Sequence, residues 1–153
     1  MSAIATELPD DERDACEGIL AFVEHEVIPR HQTHRSLFED QRAVYREDGR
    51  FTDEVMGLIN EVREASASAG FYHMCVPESL GGAGLGHLAY YAAWQAMFHR
   101  CGPQNWLMLY ALSHWAFGPS RLLEKVTPEA QQRIMPGLMA GAHSMCFGLS
   151  EPN

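Results

Sequence analysis

The spacing of apolar residues constrains this chain more than any other feature, because it repeats with the period of an α-helix. Ala15, Ile19, Phe22, Val23 and Val27 fall on one helical face. Similar helical stretches occupy about residues 53–69, 87–100, 105–117 and 128–140. Amphipathic helices bury their apolar faces by packing against one another. The sequence therefore predicts an all-α fold, with an N-terminal helical bundle of about five to six helices.

Residues at the ends of these stretches indicate where the helices begin and end. Thr52 and Thr127 are good N-caps, and Pro128 suits the first helical position. Pro29 is expected to end or bend the first helix. Gly70 is expected to stop the second helix, since glycine accepts the left-handed conformation. The polar segment 30–50 is then a connector with a short helical turn at most.

Two stretches are unusually apolar. The helix predicted from His87 to Arg100 is apolar nearly all round and is expected to be central. The next stretch, from Asn105, is the most hydrophobic in the chain and is predicted to form a helix through Phe117. On such a helix, Leu109, Ser113 and Phe117 share a face, and the small serine could leave room for a ligand tail. Plain core packing is the alternative interpretation.

Composition excludes several classes of function. The formal net charge of −9 argues against a nucleic-acid partner and against an electrostatic membrane anchor. No apolar run approaches the roughly 18 residues of a membrane span, and no signal peptide is evident. The four cysteines lack C-x-x-C spacing, so redox and zinc motifs are unsupported. We expect no membrane span and a cytoplasmic location.

Two possible ligand motifs have ordinary structural explanations. His31 and His34 stand three residues apart, but a metal site needs more ligands than this pair supplies. The glycine-rich segment 76–86 is not a P-loop, because no Lys-Ser or Lys-Thr follows it. A structural loop between two helices is the simpler interpretation. We predict no metal site and no catalytic residue in this chain.

The end of the chain changes character. A short apolar run over residues 145–149 is followed by Pro152, which cannot donate to a β ladder. The run predicts a strand, and a lone strand leaves its backbone groups unpaired. We therefore predict an N-terminal α-helical domain over residues 1–143. Residues 144–153 would begin a truncated middle β-domain, so that the bundle ends in the first strand of a missing β-barrel.

Several separated motifs, in order, resemble the flavin-dependent acyl-CoA dehydrogenases. They are Val76-Pro77-Glu78 with Gly81-Gly82-x-Gly84, Cys101-Gly102, Thr127-Pro128-Glu129-Ala130-Gln131-Gln132, Met135-Pro136-Gly137-Leu138-x-x-Gly141 and Phe147-x-Leu149-Ser150-Glu151-Pro152. Departures are Met135 for the usual leucine, and Ala142-His143 after Gly141. The resemblance covers roughly residues 10–153. It implies a subunit of three domains, of which this chain is the first together with the first strand of the middle β-barrel domain.

The resemblance also implies roles for individual residues. Phe147, Leu149 and Ser150 match the family's flavin-contacting strand, where a hydroxyl near the FAD ring can stabilise negative charge on reduction. Leu109, Ser113 and Phe117 fall near positions that floor the acyl pocket. The catalytic glutamate of the family belongs to the C-terminal domain, which implies that this chain alone is inactive and binds no flavin tightly.

The implied activity is the oxidation of an acyl-CoA thioester to trans-2-enoyl-CoA, in fatty acid and lipid metabolism. The implied partners are an acyl-CoA substrate, an electron-transfer flavoprotein as electron acceptor, and further copies of the subunit in a homo-oligomer, either a dimer or a tetramer. Two alternatives remain open. One is a flavin oxidase or monooxygenase on the same fold, and the other is a non-enzymatic helical interaction module.

Overall fold

The computed structural model describes residues 8–40 and 42–146, and within them the chain is helical. The helices are α1 (Asp10–Phe22), α2 (Ile28–Thr33), α3 (Arg35–Glu39), α4 (Asp53–Ser68), α5 (Gly86–Cys101) and α6 (Pro128–Met139). Short 3₁₀ helices cover Glu78–Leu80, Trp106–Tyr110 and Arg121–Lys125. No strand forms within these residues, apart from one isolated bridge between Tyr45 and Phe51. The predicted all-α fold is confirmed.

The first helix does not end at Pro29. Val23–Val27 forms a π-helical turn between α1 and α2, and the helical chain then continues to Thr33. Pro29 lies in the first turn of α2, where its missing N–H is tolerated. The segment predicted as a connector therefore begins with the rest of this helix and also contains α3.

The two predicted N-caps are present. The Thr52 hydroxyl accepts a hydrogen bond from the Val55 N–H at 3.3 Å, and the Thr127 hydroxyl accepts one from the Ala130 N–H at 3.3 Å. Gly70 adopts the left-handed conformation with φ +85°, directly after α4. Ala69, the last residue of the stretch predicted as the second helix, is exposed, because it caps α4 rather than continuing its buried face.

Most buried side chains belong to one core, in which α5 packs against α1. The side chains of Ile19, Val23, Val27 and Val62 are fully buried there. A second, smaller core joins the glycine-rich loop, the 3₁₀ helix Arg121–Lys125 and α6. Its buried members are Val76, Leu80, Leu123, Met135 and Leu138.

The composition of α5 predicted a central helix, but the structure places it with one face exposed. Ala89, Ala93 and Met97 are buried, whereas Leu88, Tyr91 and Phe98 on the other face are exposed. Small alanine side chains allow close approach to α1, so α5 buries only a narrow stripe. Apolar composition all round the helix did not distinguish this arrangement from complete burial.

The predicted helix from Asn105 to Phe117 is wrong. Only Trp106–Tyr110 is helical, as a 3₁₀ turn. After it, the Ser113 N–H donates to the Tyr72 carbonyl at 2.8 Å, and the Ser66 hydroxyl donates to the Ala111 carbonyl. These long-range partners replace the i to i−4 bonds that a helix would have made. Leu109, Ser113 and Phe117 consequently share no helical face.

Candidate functional site

A cavity of about 750 Å³ lies between the glycine-rich loop, the start of α5 and the segment 112–125. Its walls are mainly apolar and aromatic, which is typical of a small-molecule site. Its wall includes Tyr72, Cys75, Tyr91, Ser113, Trp115 and Ser120.

The glycine-rich loop forms its wall because its backbone folds back on itself. The Gly84 N–H donates to the Val76 carbonyl at 2.9 Å, and the Gly82 N–H donates to the Pro77 carbonyl at 3.1 Å. A Cβ atom at Gly82 would collide with the backbone of Val76. Close backbone packing thus explains the glycine at this position.

One rim of the cavity is held by a contact between two 3₁₀ helices. The Ser79 hydroxyl donates to Glu124 Oε1 at 2.7 Å, and Arg121 Nε lies 3.5 Å from Glu124 Oε2. Leu80 and Leu123, one residue away on each side, are both buried in the second core. The two segments are therefore joined at the rim and behind it.

The deep wall of the cavity is fixed by Tyr72 and Ser113. Tyr72 is 1% exposed, and burial raises the pKa of its phenol, although the Arg63 charge opposes the shift. The Ser113 hydroxyl donates to the Pro119 carbonyl at 2.6 Å. Gly118 lies beside both side chains, since a Cβ atom there would come within 2.6 Å of Ser113 Oγ and 2.9 Å of the Tyr72 hydroxyl.

Cys75 also lines the cavity, but burial raises the pKa of its thiol to about 12. A thiol with this pKa is almost entirely protonated near neutral pH, and the thiolate is the nucleophilic form. Cys75 is therefore a wall residue and a poor candidate for nucleophilic chemistry.

The structure separates the three residues that were predicted to floor an acyl pocket. Ser113 lines the cavity. Leu109 instead packs against the main core, and the Phe117 ring stacks on His114 with centroids 4.7 Å apart. The predicted flavin contacts Phe147, Leu149 and Ser150 lie outside the described residues.

Sequence reasoning missed most of the cavity wall. Tyr72 lies outside the stretches that were predicted as helices, and Trp115 lies in the stretch 105–117, which was predicted as a helix but is not helical at that position. The glycine-rich loop and Gly118-Pro119 interrupt the helical pattern of apolar residues, and both border the site. These interruptions were the signal in the sequence that could have located the cavity. The glycine-rich segment was interpreted as a structural loop, and Gly118-Pro119 as a break or kink in a helix.

His31 and His34 have separate side-chain partners. The His31 ring stacks on Phe38 at 4.7 Å, and His34 Nδ1 lies 3.2 Å from Glu54. Over residues 8–40 and 42–146, no group of three or more metal-binding side chains comes together.

Among the described residues, none of the helices combines the length and apolar character that a bilayer crossing requires.

The sequence matches the family profile described as acyl-CoA dehydrogenase, N-terminal domain, over residues 9–142. Comparison with curated proteins and with solved structures gives no match. The matched range spans well over half of the chain and includes the glycine-rich loop, the cavity and α6. The chain therefore belongs to the acyl-CoA dehydrogenase family, through the N-terminal domain of that family.

Proposed function

We propose that this chain is the N-terminal domain of an FAD-dependent acyl-CoA dehydrogenase that oxidises an acyl-CoA thioester to trans-2-enoyl-CoA. The cavity carries the proposal, because it is apolar, lies within the matched range and is large enough for an acyl chain. Burial of an acyl chain against such walls contributes roughly 0.8 kcal/mol per methylene group.

The residues of the wall would act by binding and by excluding water. Ser113 contributes to the wall, and its fixed hydroxyl keeps the Pro119 carbonyl hydrogen-bonded. Leu109 and Phe117 are proposed to support the acyl site from behind, since Leu109 packs against the main core and Phe117 stacks on His114, the residue after Ser113. The Cys75 thiol adds a neutral, weakly polar surface.

Phe147, Leu149 and Ser150 are proposed to contact the flavin. The described chain supports this assignment, because the Met145 N–H donates to the Phe117 carbonyl at 3.1 Å. Phe117 precedes Gly118 at the deep wall, so the chain enters this segment close to the cavity. When bound, FAD would accept the hydride from the substrate. An electron-transfer flavoprotein as acceptor and a homo-oligomeric assembly are proposed from the family alone.

Acyl-chain binding can be measured with the 153-residue chain through its intrinsic tryptophan fluorescence, since Trp115 is the one of its three tryptophans that lines the described cavity. We expect octanoyl-CoA to bind and free CoA to bind far more weakly, because only the acyl chain buries apolar surface. Ser79→Phe places a ring at the cavity mouth and removes the hydrogen bond to Glu124 that holds the rim. Both effects should weaken octanoyl-CoA binding, together about tenfold.

Ser68→Phe is the matched control, because Ser68 is exposed at the end of α4 and does not line the cavity. It should leave the affinity unchanged. Equal binding of octanoyl-CoA and free CoA, or no binding of either, would contradict the proposed function.

A further inference from the structure

The wall of the cavity has a buried apolar part and an exposed charged part. Val76, Leu112 and Pro119 line the cavity and are buried. The carboxylate and basic side chains of the wall are all exposed, and they are Glu78, His87, Arg121, Glu124 and Lys125. Because water solvates exposed charges, these groups lie at the mouth of the cavity, and the apolar groups lie inside it.

This division determines how an acyl-CoA would lie in the cavity. The alkyl chain gains about 0.8 kcal/mol for each methylene group that leaves water, so it enters the apolar interior. The CoA part carries phosphate charges, and their burial without partners is costly, so it stays outside. The thioester joins the two parts. It therefore lies at the mouth, beside the charged side chains.

Lys125 is the only lysine of the chain, and it is the last residue of the 3₁₀ helix Arg121–Lys125 at the mouth. Arg121, the other basic residue of this helix, has its Nε 3.5 Å from Glu124 Oε2. Lys125 forms no ion pair with the residues that the structure describes. A guanidinium stays protonated, whereas a neutral lysine amine can attack a carbonyl carbon. Lys125 thus brings a nucleophilic amine to the place where the thioester would lie.

We propose that Lys125 is an acylation site, whose side-chain amine takes the acyl group from an acyl-CoA bound in the cavity. The inference rests on the proposed function and adds a covalent modification at the same site. The amine nitrogen attacks the thioester carbonyl, the C–N bond forms and the C–S bond breaks. The proton that the nitrogen loses leaves on the sulfur, as the free thiol of CoA. No oxidant or reductant takes part, and the product amide has lost the positive charge of Lys125.

Binding accelerates this transfer because it holds the thioester close to the amine, at an effective concentration on the order of millimolar. The rate of acylation at Lys125 should therefore saturate as octanoyl-CoA increases. Its midpoint should equal the dissociation constant that tryptophan fluorescence gives for the 153-residue chain. A lysine remote from the cavity meets the thioester only from solution, so its rate should rise in proportion to the concentration.

The test incubates the 153-residue chain with octanoyl-CoA and follows octanoylated lysine by peptide mass spectrometry. The matched control is the double variant Lys125→Arg/Arg133→Lys, which exchanges the two residues and keeps both composition and net charge. Arg133 is exposed on α6 and does not line the cavity. At about 0.1 mM octanoyl-CoA, we expect Lys125 to react about tenfold faster than the relocated lysine.

The possible results separate the two proposals. If octanoyl-CoA does not bind, the proposed function fails, and this inference fails with it. If octanoyl-CoA binds but Lys125 reacts no faster than the relocated lysine, only the acylation site is overturned. A rate at Lys125 that rises linearly past the dissociation constant overturns it as well, because the acyl group would then come from solution.

Discussion

Gly141 shows how a single residue couples two helices. It follows α6 with φ +73°, and a Cβ atom there would lie 2.7 Å from both the carbonyl carbon and the carbonyl oxygen of Arg63 in α4. Both the backbone conformation and the space therefore require glycine. We expect Gly141→Ala to lower the free energy of unfolding by about 3 kcal/mol, from left-handed strain and overpacking together. Urea denaturation measures this loss.

Gly49 supplies the matched control. It has φ +80°, but nothing lies within 4 Å of the Cβ position. Gly49→Ala should therefore show only the conformational cost, about 1 kcal/mol. If the two alanine variants were equally stable, the close contact with Arg63 would be refuted. The sequence predicted a helix over about residues 128–140, directly before Gly141, but the contact with Arg63 joins residues far apart in the chain and left no local signal.

At the scale of whole elements, the helix starts were the most predictable feature. Thr52 caps α4 through a bond to a residue only three positions away, so the local sequence contains the whole interaction. We expect Thr52→Ala to lower the free energy of unfolding by about 1 kcal/mol, because the Val55 N–H loses its acceptor. Chemical denaturation monitored by circular dichroism measures the change.

Thr33→Ala is the comparison for this prediction. The Thr33 hydroxyl is exposed and donates to the Pro29 carbonyl at 3.0 Å, so it caps no helix N-terminus. Its loss should change the free energy of unfolding by less than about 0.5 kcal/mol. Equal losses for the two threonines would show that the capping bond of Thr52 contributes nothing specific.

The helix predicted after Asn105 is wrong for a different reason, because distant residues determine the structure of this segment. Its residues are as apolar as a buried helix, but Ser66 and Tyr72 supply partners from α4 and the turn that follows it. Tertiary hydrogen bonds outweighed local preference there. The same long-range hydrogen bonds place Ser113 at the cavity and leave Leu109 in the core. The candidate site was therefore only partly predictable from the sequence.

Across the whole molecule, the four cysteines differ in how deeply their thiols are buried. Cys146 is exposed, whereas burial raises the pKa values of Cys16 and Cys101, and that of Cys75 to about 12. At pH 8, only about one Cys75 side chain in ten thousand is a thiolate. We expect iodoacetamide to label Cys146 while Cys75 stays unmodified, as peptide mass spectrometry would show.

Labelling in concentrated urea is the control, where all four thiols should react at similar rates. Rapid labelling of Cys75 in native buffer would contradict its burial.

The raised pKa of Cys75 also determines how this group makes stability depend on pH. Because the folded protein holds the Cys75 proton more tightly than the unfolded chain, this group's contribution to stability is present below pH 9 and is lost as the pH rises towards 12.

The π-helical turn at Val23–Val27 sets the rotational phase between α1 and α2. Such a turn accommodates about one residue more than an α-turn. Because the π-turn absorbs this extra residue, deleting one residue from it would give a regular helix in which α1 keeps roughly its present phase. Making the turn α-helical at its present length would instead rotate everything before it by about 100° relative to α2. Ile19, now fully buried, would turn away from the core. The π-helical geometry of this segment, more than its composition, thus determines which side of the first helix the protein can bury.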